Sequence, residues 1–293
     1  MLKKEKIGLG YAHSKIILMG EHAVVYGFPA IAMPLKNIKV LAQVTASHVS
    51  SRLDITDPLS MAIYATLEHL GKSDQLICQI QSAVPQKRGM GSSAAVAIAT
   101  IRAVCDYFGQ VPDLQTVEML VNQSEIIAHA NPSGLDAKTC LSEQMIRYIR
   151  NVGFEELEFS GEAYLVIADT GIHGKTRDAV AKVQAMETKA LPLLNQLGQL
   201  TEQFEVALLK GKVAAMGKRM SEAHQLLMDL GVSCRESDHL VTEALTLGAL
   251  GAKMTGGGLG GCIVALAKTH QDAKIIAGGL RQKGAKQVWI EKM

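Results

Sequence analysis

The segment Pro85-Gln86-Lys87-Arg88-Gly89-Met90-Gly91-Ser92-Ser93-Ala94-Ala95 joins a short Gly/Ser turn to a strongly helix-forming run, 94–101. Glycines let backbone amides crowd around a ligand. The first turn of a helix presents unpaired N–H groups at the positive end of its dipole. Together these make a site suited to phosphate. Ser92 and Ser93 add hydroxyls that can hold a phosphate oxygen or a magnesium ion. A strand-to-helix turn with no ligand has the same composition, so the motif alone is a moderate signal. It is not a P-loop, because no Gly-Lys-Ser/Thr follows at the required spacing. Asp169-Thr170-Gly171-Ile172-His173-Gly174-Lys175-Thr176 comes closer, but a carboxylate stands where a P-loop needs glycine. That stretch leaves Lys175, Thr176 and Arg177 as candidate substrate-side polar groups.

Three further clusters carry chemistry. Thr255-Gly256-Gly257-Gly258-Leu259-Gly260-Gly261 holds five glycines in six positions between two apolar runs. Ordering them costs much conformational entropy, which suits close backbone approach to a ligand; a flexible hairpin loop is the plainer reading. Asn131-Pro132-Ser133-Gly134-Leu135-Asp136 reads as a turn holding Asp136 in a fixed place, either as an acceptor of a hydroxyl proton or as a helix cap. Glu125, on the polar face of the preceding helix, could bind magnesium together with a serine hydroxyl. Glu125 and His129 have zinc-pair spacing, but no third ligand of the usual spacing appears. Finally, Lys15, Glu21 and His22 flank the apolar run 16–19, where a surface lysine and a Glu-His helix cap are the bland alternatives.

The elements that must position these residues follow from periodicity. Residues 6–19 suggest paired strands meeting around Lys15, and 39–46 and 75–84 suit strands. Helices are expected over 59–70, from the Gly/Ser turn to about 108, and over 113–129. Short strands follow at 144–150, 155–159 and 164–168, then helices over 175–249 broken near Gly198, Gly211 and Gly231. The tail reads strand, glycine loop, strand, helix, strand. This mixture without a strict βαβ repeat predicts an α+β fold. The composition shift near residue 160 predicts domains 1–160, nucleotide-binding, and 161–293.

Bulk composition narrows the class. The 293 residues are 48% hydrophobic and only 4% aromatic, enough for an aliphatic core. A net charge of +2 argues for neither nucleic acid nor a membrane surface. The five cysteines form no C-x-x-C pair, which points to buried thiols in a reducing compartment. Polar residues interrupt the N-terminal segment, and the run 16–19 is too short to span a bilayer, so a cytoplasmic protein is expected.

Taken in order, these regions resemble the three signature regions of the GHMP kinase superfamily and cover the whole chain. Gly20-Glu21-His22-Ala23-Val24-Val25-Tyr26-Gly27 and Asn131-Pro132-Ser133-Gly134-Leu135-Asp136 resemble its mevalonate kinase branch. The resemblance implies an N-terminal ribosomal-protein-S5-like domain and a C-terminal ferredoxin-like domain. It implies ATP and Mg²⁺, a mevalonate acceptor and, by analogy, a homodimer. Asp136 would be the general base and Lys15 would stabilise the charge of the hydroxyl and the transferring phosphoryl. Ser93 and Glu125 would hold Mg²⁺. Lys87, Gly89, Met90, Gly91, Ser92, Ser93 and Ala94 would bind nucleotide. Glu21, His22, Thr176 and Gly257 would place the acceptor or the lysine. Two departures stand out in the third region, where the family carries alanine at position 257 and glycine at 259. Leu259 is expected to keep an ordinary φ.

Overall fold

The structure, a computed structural model, describes residues 6–47, 53–128 and 134–293. Residues 131–133 of the acid turn, and His129, lie outside them. The chain forms two compact units that are not the contiguous halves 1–160 and 161–293. One comprises 1–15, 34–86 and 91–143; the other comprises 16–33, 87–90 and 144–293.

Strand β1 (Ile7–Met19) runs unbroken through Lys15, where two strands meeting at a turn were expected. Its burial alternates early and then becomes continuous, so the apolar run 16–19 marks a strand covered on both faces. Strand β2 (Ala30–Ala46) is likewise longer than its alternating segment.

In the first unit, residues 40–46 of β2 pair antiparallel with β3 (Leu76–Ser82). Helices α1 (Pro58–His69), α2 (Ser92–Tyr107) and α3 (Leu114–Ala128) pack on one another, burying Ile63, Ile98, Ile101 and Leu120. Their starts are set locally. Asp57 accepts a hydrogen bond from the Ser60 amide at 2.9 Å, with Pro58 in the first turn of α1. Asp113 accepts one from Thr116 at 2.7 Å ahead of α3. Helix α4 (Leu135–Leu141) contacts both α2 and α3.

In the second unit, Ala30–Ala32 of β2 pair with β4 (Met145–Ile149), which forms a hairpin with β5 (Gly153–Leu157). Strands β6 (Tyr164–Asp169), β7 (Gly251–Thr255), β8 (Cys262–Ala267) and β9 (Gln287–Lys292) form an antiparallel sheet ordered β7-β8-β6-β9. Helices α5 (Thr176–Ala185), α6 (Ala190–Leu209), α7 (Val213–Asp229) and α8 (Arg235–Thr246) separate β6 from β7, and α9 (His270–Gln282) separates β8 from β9. This is the ferredoxin-like order expected for the C-terminal part. Ile276 and Leu280 of α9 pack with Val166, Ile263 and Ala265 of the sheet, each large side chain contributing about 2 kcal/mol.

Gly198 does not break α6. A Cβ there would lie 2.5 Å from the Phe28 ring, so the glycine admits a ring against the helix. The break falls instead at Glu187–Lys189, a 3-10 turn in which Glu187 has φ 48°.

Candidate active site

In the first unit, Lys15 lies midway along β1 and is 1% exposed. Its Nζ is 2.7 Å from Oδ1 of Asp136, whose side chain is 34% exposed. A buried ammonium therefore faces a carboxylate that keeps access to solvent. Asp136 sits in the first turn of α4, where the helix dipole favours negative charge. Gly91 lets the start of α2 lie against the lysine stem. Its φ is +68°, and a Cβ there would meet Lys15 Cγ at 2.8 Å and Cys140 Sγ at 3.2 Å. The Cys140 thiol beside it is fully buried, and burial pushes its pKa well up, which makes it an inert packing group.

Also in this unit, Ser93 Oγ donates to Glu125 Oε1 at 2.7 Å. Glu125 is buried rather than on a polar face, because α3 turns it toward the first turn of α2. Two hard oxygens from different helices suit Mg²⁺, which keeps several waters and takes one or two protein ligands. Among the described residues no group of three His, Cys, Asp or Glu is placed to hold a metal; His129, the other half of the zinc-spaced pair, lies outside them. Ser92 opens α2, Ala94 is buried, and among the described residues no side chain caps this helix start. Its first amides can therefore face an anion.

In the second unit, Glu21 and His22 follow β1 in the turn that leads into the 3-10 segment Ala23–Tyr26. Both are buried, and His22 holds φ 60°. Glu21 is paired with Lys253 of β7, a partner the sequence reading did not select. Lys253 is wholly buried and also donates to the Met254 carbonyl at 2.8 Å. Thr255 Oγ1 adds a second tie, donating to the Ile17 carbonyl at 2.9 Å. The signal was available: a lysine inside an apolar strand needs a buried counter-charge.

The glycine loop packs against protein. Gly256 abuts the backbone of Gly89, where a Cβ on Gly256 would come within 2.5 Å of Gly89 Cα. An alanine at 257 would put its Cβ 2.0 Å from Thr176 Oγ1, so glycine at 257 and threonine at 176 occur as a fitted pair. Leu259 has φ 52°, which corrects the expectation of an ordinary φ; its amide is held by the Val232 carbonyl at 2.8 Å. The left-handed geometry costs about 1–2 kcal/mol for a residue with a Cβ.

Arg88 is occupied as well. Its Nε lies 2.7 Å from Asp169 Oδ1, and its Nη2 donates to the Gly171 carbonyl at 3.3 Å. The carboxylate that spoils the P-loop pattern is thus the partner of an arginine, and Arg88 is not a free cation for phosphate. Lys87 is exposed, and Met90 is buried with its Sδ 3.7 Å from Cys262 Sγ.

Burial pushes His22 and His224 down to about 4, each aided more weakly by the charge of Lys253 and opposed by its own hydrogen-bond or carboxylate neighbour. Both folded values lie below the unfolded value of 6.5. Between those limits the unfolded chain binds more protons. The stability each neutral ring contributes is complete above pH 6.5 and is lost as pH falls toward 4, at most about 3 kcal/mol per ring. Urea unfolding from pH 7 to pH 4 should show the midpoint falling through this window, and His224→Gln should flatten the fall. A level profile would contradict it.

Residues 58–144 match the family profile "GHMP kinases N terminal domain", and 204–286 match "GHMP kinases C terminal". The mevalonate kinase of Pyrococcus horikoshii is 33% identical over 94% of each chain. That of Thermococcus sibiricus is 33% identical over 93% of this chain and 94% of its own. The crystal structure of L. major mevalonate kinase in complex with R-mevalonate matches with a TM-score of 0.85 at 28% identity, covering 99% of this chain and 96% of that one. Among the described residues, no helix is long and apolar enough to cross a membrane. With identity of this level running nearly end to end, the chain belongs to the mevalonate kinases of the GHMP kinase superfamily.

Proposed function

We propose that this protein transfers the γ-phosphoryl group of ATP to the C5 hydroxyl of (R)-mevalonate, giving 5-phosphomevalonate and ADP. The observation that carries this reading is the Lys15–Asp136 pair at 2.7 Å. Phosphoryl transfer asks a protein for positioning and charge neutralisation. Asp136 accepts the proton of the attacking hydroxyl. The Lys15 ammonium neutralises charge that grows on the hydroxyl oxygen and the transferring group. The amides at the start of α2 and the exposed Lys87 hold phosphate oxygens, with Gly89 and Met90 contributing backbone only. Ser93 and Glu125 hold Mg²⁺, which when bound offsets charge on the phosphates. Glu21 and His22 contact the acceptor, and Thr176 and Gly257 fix the loop beside them. This role suits two buried atoms, Glu21 Oε2 and His22 Nε2, that have no hydrogen-bond partner among the described residues. On the family's pattern alone, the enzyme is a cytoplasmic homodimer.

A coupled ADP assay against mevalonate, phosphomevalonate, galactose and homoserine tests the reading. Mevalonate-dependent ADP release with the others near background is the expected result. ADP release with another acceptor, or none with any, would overturn it. Glu125→Gln should raise the Mg²⁺ concentration for half-maximal rate at least tenfold. An unchanged Mg²⁺ titration would remove Glu125 from the metal site.

A further inference from the structure

Lys253 is among the largest wholly buried side chains and carries a charge that no part of the proposed phosphoryl chemistry uses. Burying an ammonium without a role is expensive, and hydrophobic residues of similar volume commonly replace such ion pairs at little cost. Its two contacts are specific. One goes to Oε1 of Glu21, 232 residues earlier in the chain, and the other to the Met254 carbonyl of its own strand. The carboxylate of Glu21 is thereby divided. Oε1 is taken by the lysine, while Oε2 is buried with no partner among the described residues. His22, next in sequence, is in the same state through Nε2. Its backbone is held at φ 60° and ψ −44°, a positive-φ conformation that a residue with a side chain adopts only where the surroundings enforce it. The Thr255 hydroxyl fixes the preceding part of β1 through the Ile17 carbonyl at 2.9 Å. Lys253 and Thr255 alternate with Met254 along β7 and so project on one face of the strand. Two residues of one strand face thus grip the end of β1 and the turn after it.

We propose that Lys253 is a positioning residue for acceptor recognition: it fixes the Glu21 carboxylate so that Oε2, with His22 Nε2, is aimed at the acceptor's polar groups. This rests on the reading that Glu21 and His22 contact the acceptor. Lys253 touches no reacting atom. Its effect therefore falls on the KM for the acceptor and spares the KM for ATP.

The test compares three variants by steady-state kinetics, with thermal unfolding to establish that each is folded. Glu21→Gln keeps the side-chain shape and tests the underlying reading; the acceptor KM should rise tenfold or more. Lys253→Arg keeps the charge and the ion pair, so a purely structural role predicts normal kinetics. Lys253 is wholly buried, however, so the larger planar guanidinium shifts the carboxylate it pairs with. The acceptor KM should rise at least fivefold, with the ATP KM within twofold. The double variant should be no worse than Glu21→Gln alone, since both changes act through one carboxylate. A folded Lys253→Arg protein with an unchanged acceptor KM overturns the positioning role, even if Glu21→Gln is impaired. Fully additive effects in the double variant overturn it too. An unchanged acceptor KM in Glu21→Gln removes the underlying contact instead.

Discussion

Asp136→Asn is expected to lower kcat about 1,000-fold while the KM for ATP stays within twofold. The amide matches the carboxylate in shape and keeps α4 intact, but it cannot take a proton from the attacking hydroxyl. A positioned general base contributes about 10²–10⁴-fold, and the middle of that range is the expected loss. Two features of the site keep the test clean. The Asp136 side chain is 34% exposed, so water can replace the charge that the variant removes from beside Lys15. The proposed metal pair, Ser93 and Glu125, lies on α2 and α3, and neither residue depends on Asp136 for its hydrogen bond. Single-turnover measurements at saturating ATP and mevalonate read the chemical step directly. A folded variant turning over at a near-normal rate would end the assignment of Asp136 as base.

Much of this site is legible in the sequence, for a physical reason. Backbone amides at a glycine turn, a hydroxyl and a carboxylate for a hard cation, and an acid beside a lysine are residue-type requirements. Residue types are what a sequence displays. The pairs Lys15–Asp136 and Ser93–Glu125, which the family resemblance implies, each have their side chains 2.7 Å apart. In the C-terminal sheet, β6 and β8 were readable as largely apolar runs and α9 as an amphipathic helix.

What was hidden depends on contacts between distant segments. Gly198 looks like a helix break until Phe28 is seen against it. Nothing local to the Gly/Ser segment shows that Asp169 claims Arg88, and nothing local to the apolar strand around Lys253 names Glu21 as its counter-charge. Leu259 follows the same rule. Its φ of 52° goes with an amide held by the Val232 carbonyl, and leucine gives no local hint of that conformation. The division into units is hidden likewise, because 16–33 and 87–90 group with the C-terminal half through packing and not through composition.

Lys15→Met should reduce kcat by about 100- to 1,000-fold, the loss typical of removing one preorganised group aimed at developing charge. Methionine is the informative replacement, since it is unbranched and apolar and fits a slot that is 1% exposed. The slot is shaped by Gly91, where a Cβ would stand 2.8 Å from the lysine's Cγ, and by the Cys140 thiol. Folding should therefore survive the loss of the ammonium, and Asp136, with its solvent access, loses only an ion pair it can replace with water. Lys15→Arg should recover little. The guanidinium is larger and planar, and the same close walls keep it from placing a cation at the lysine's position. A simple requirement for positive charge predicts substantial rescue by arginine. If Lys15→Met raised only the KM for ATP, with kcat intact, the lysine would be a nucleotide contact and not a stabiliser of the transferring group.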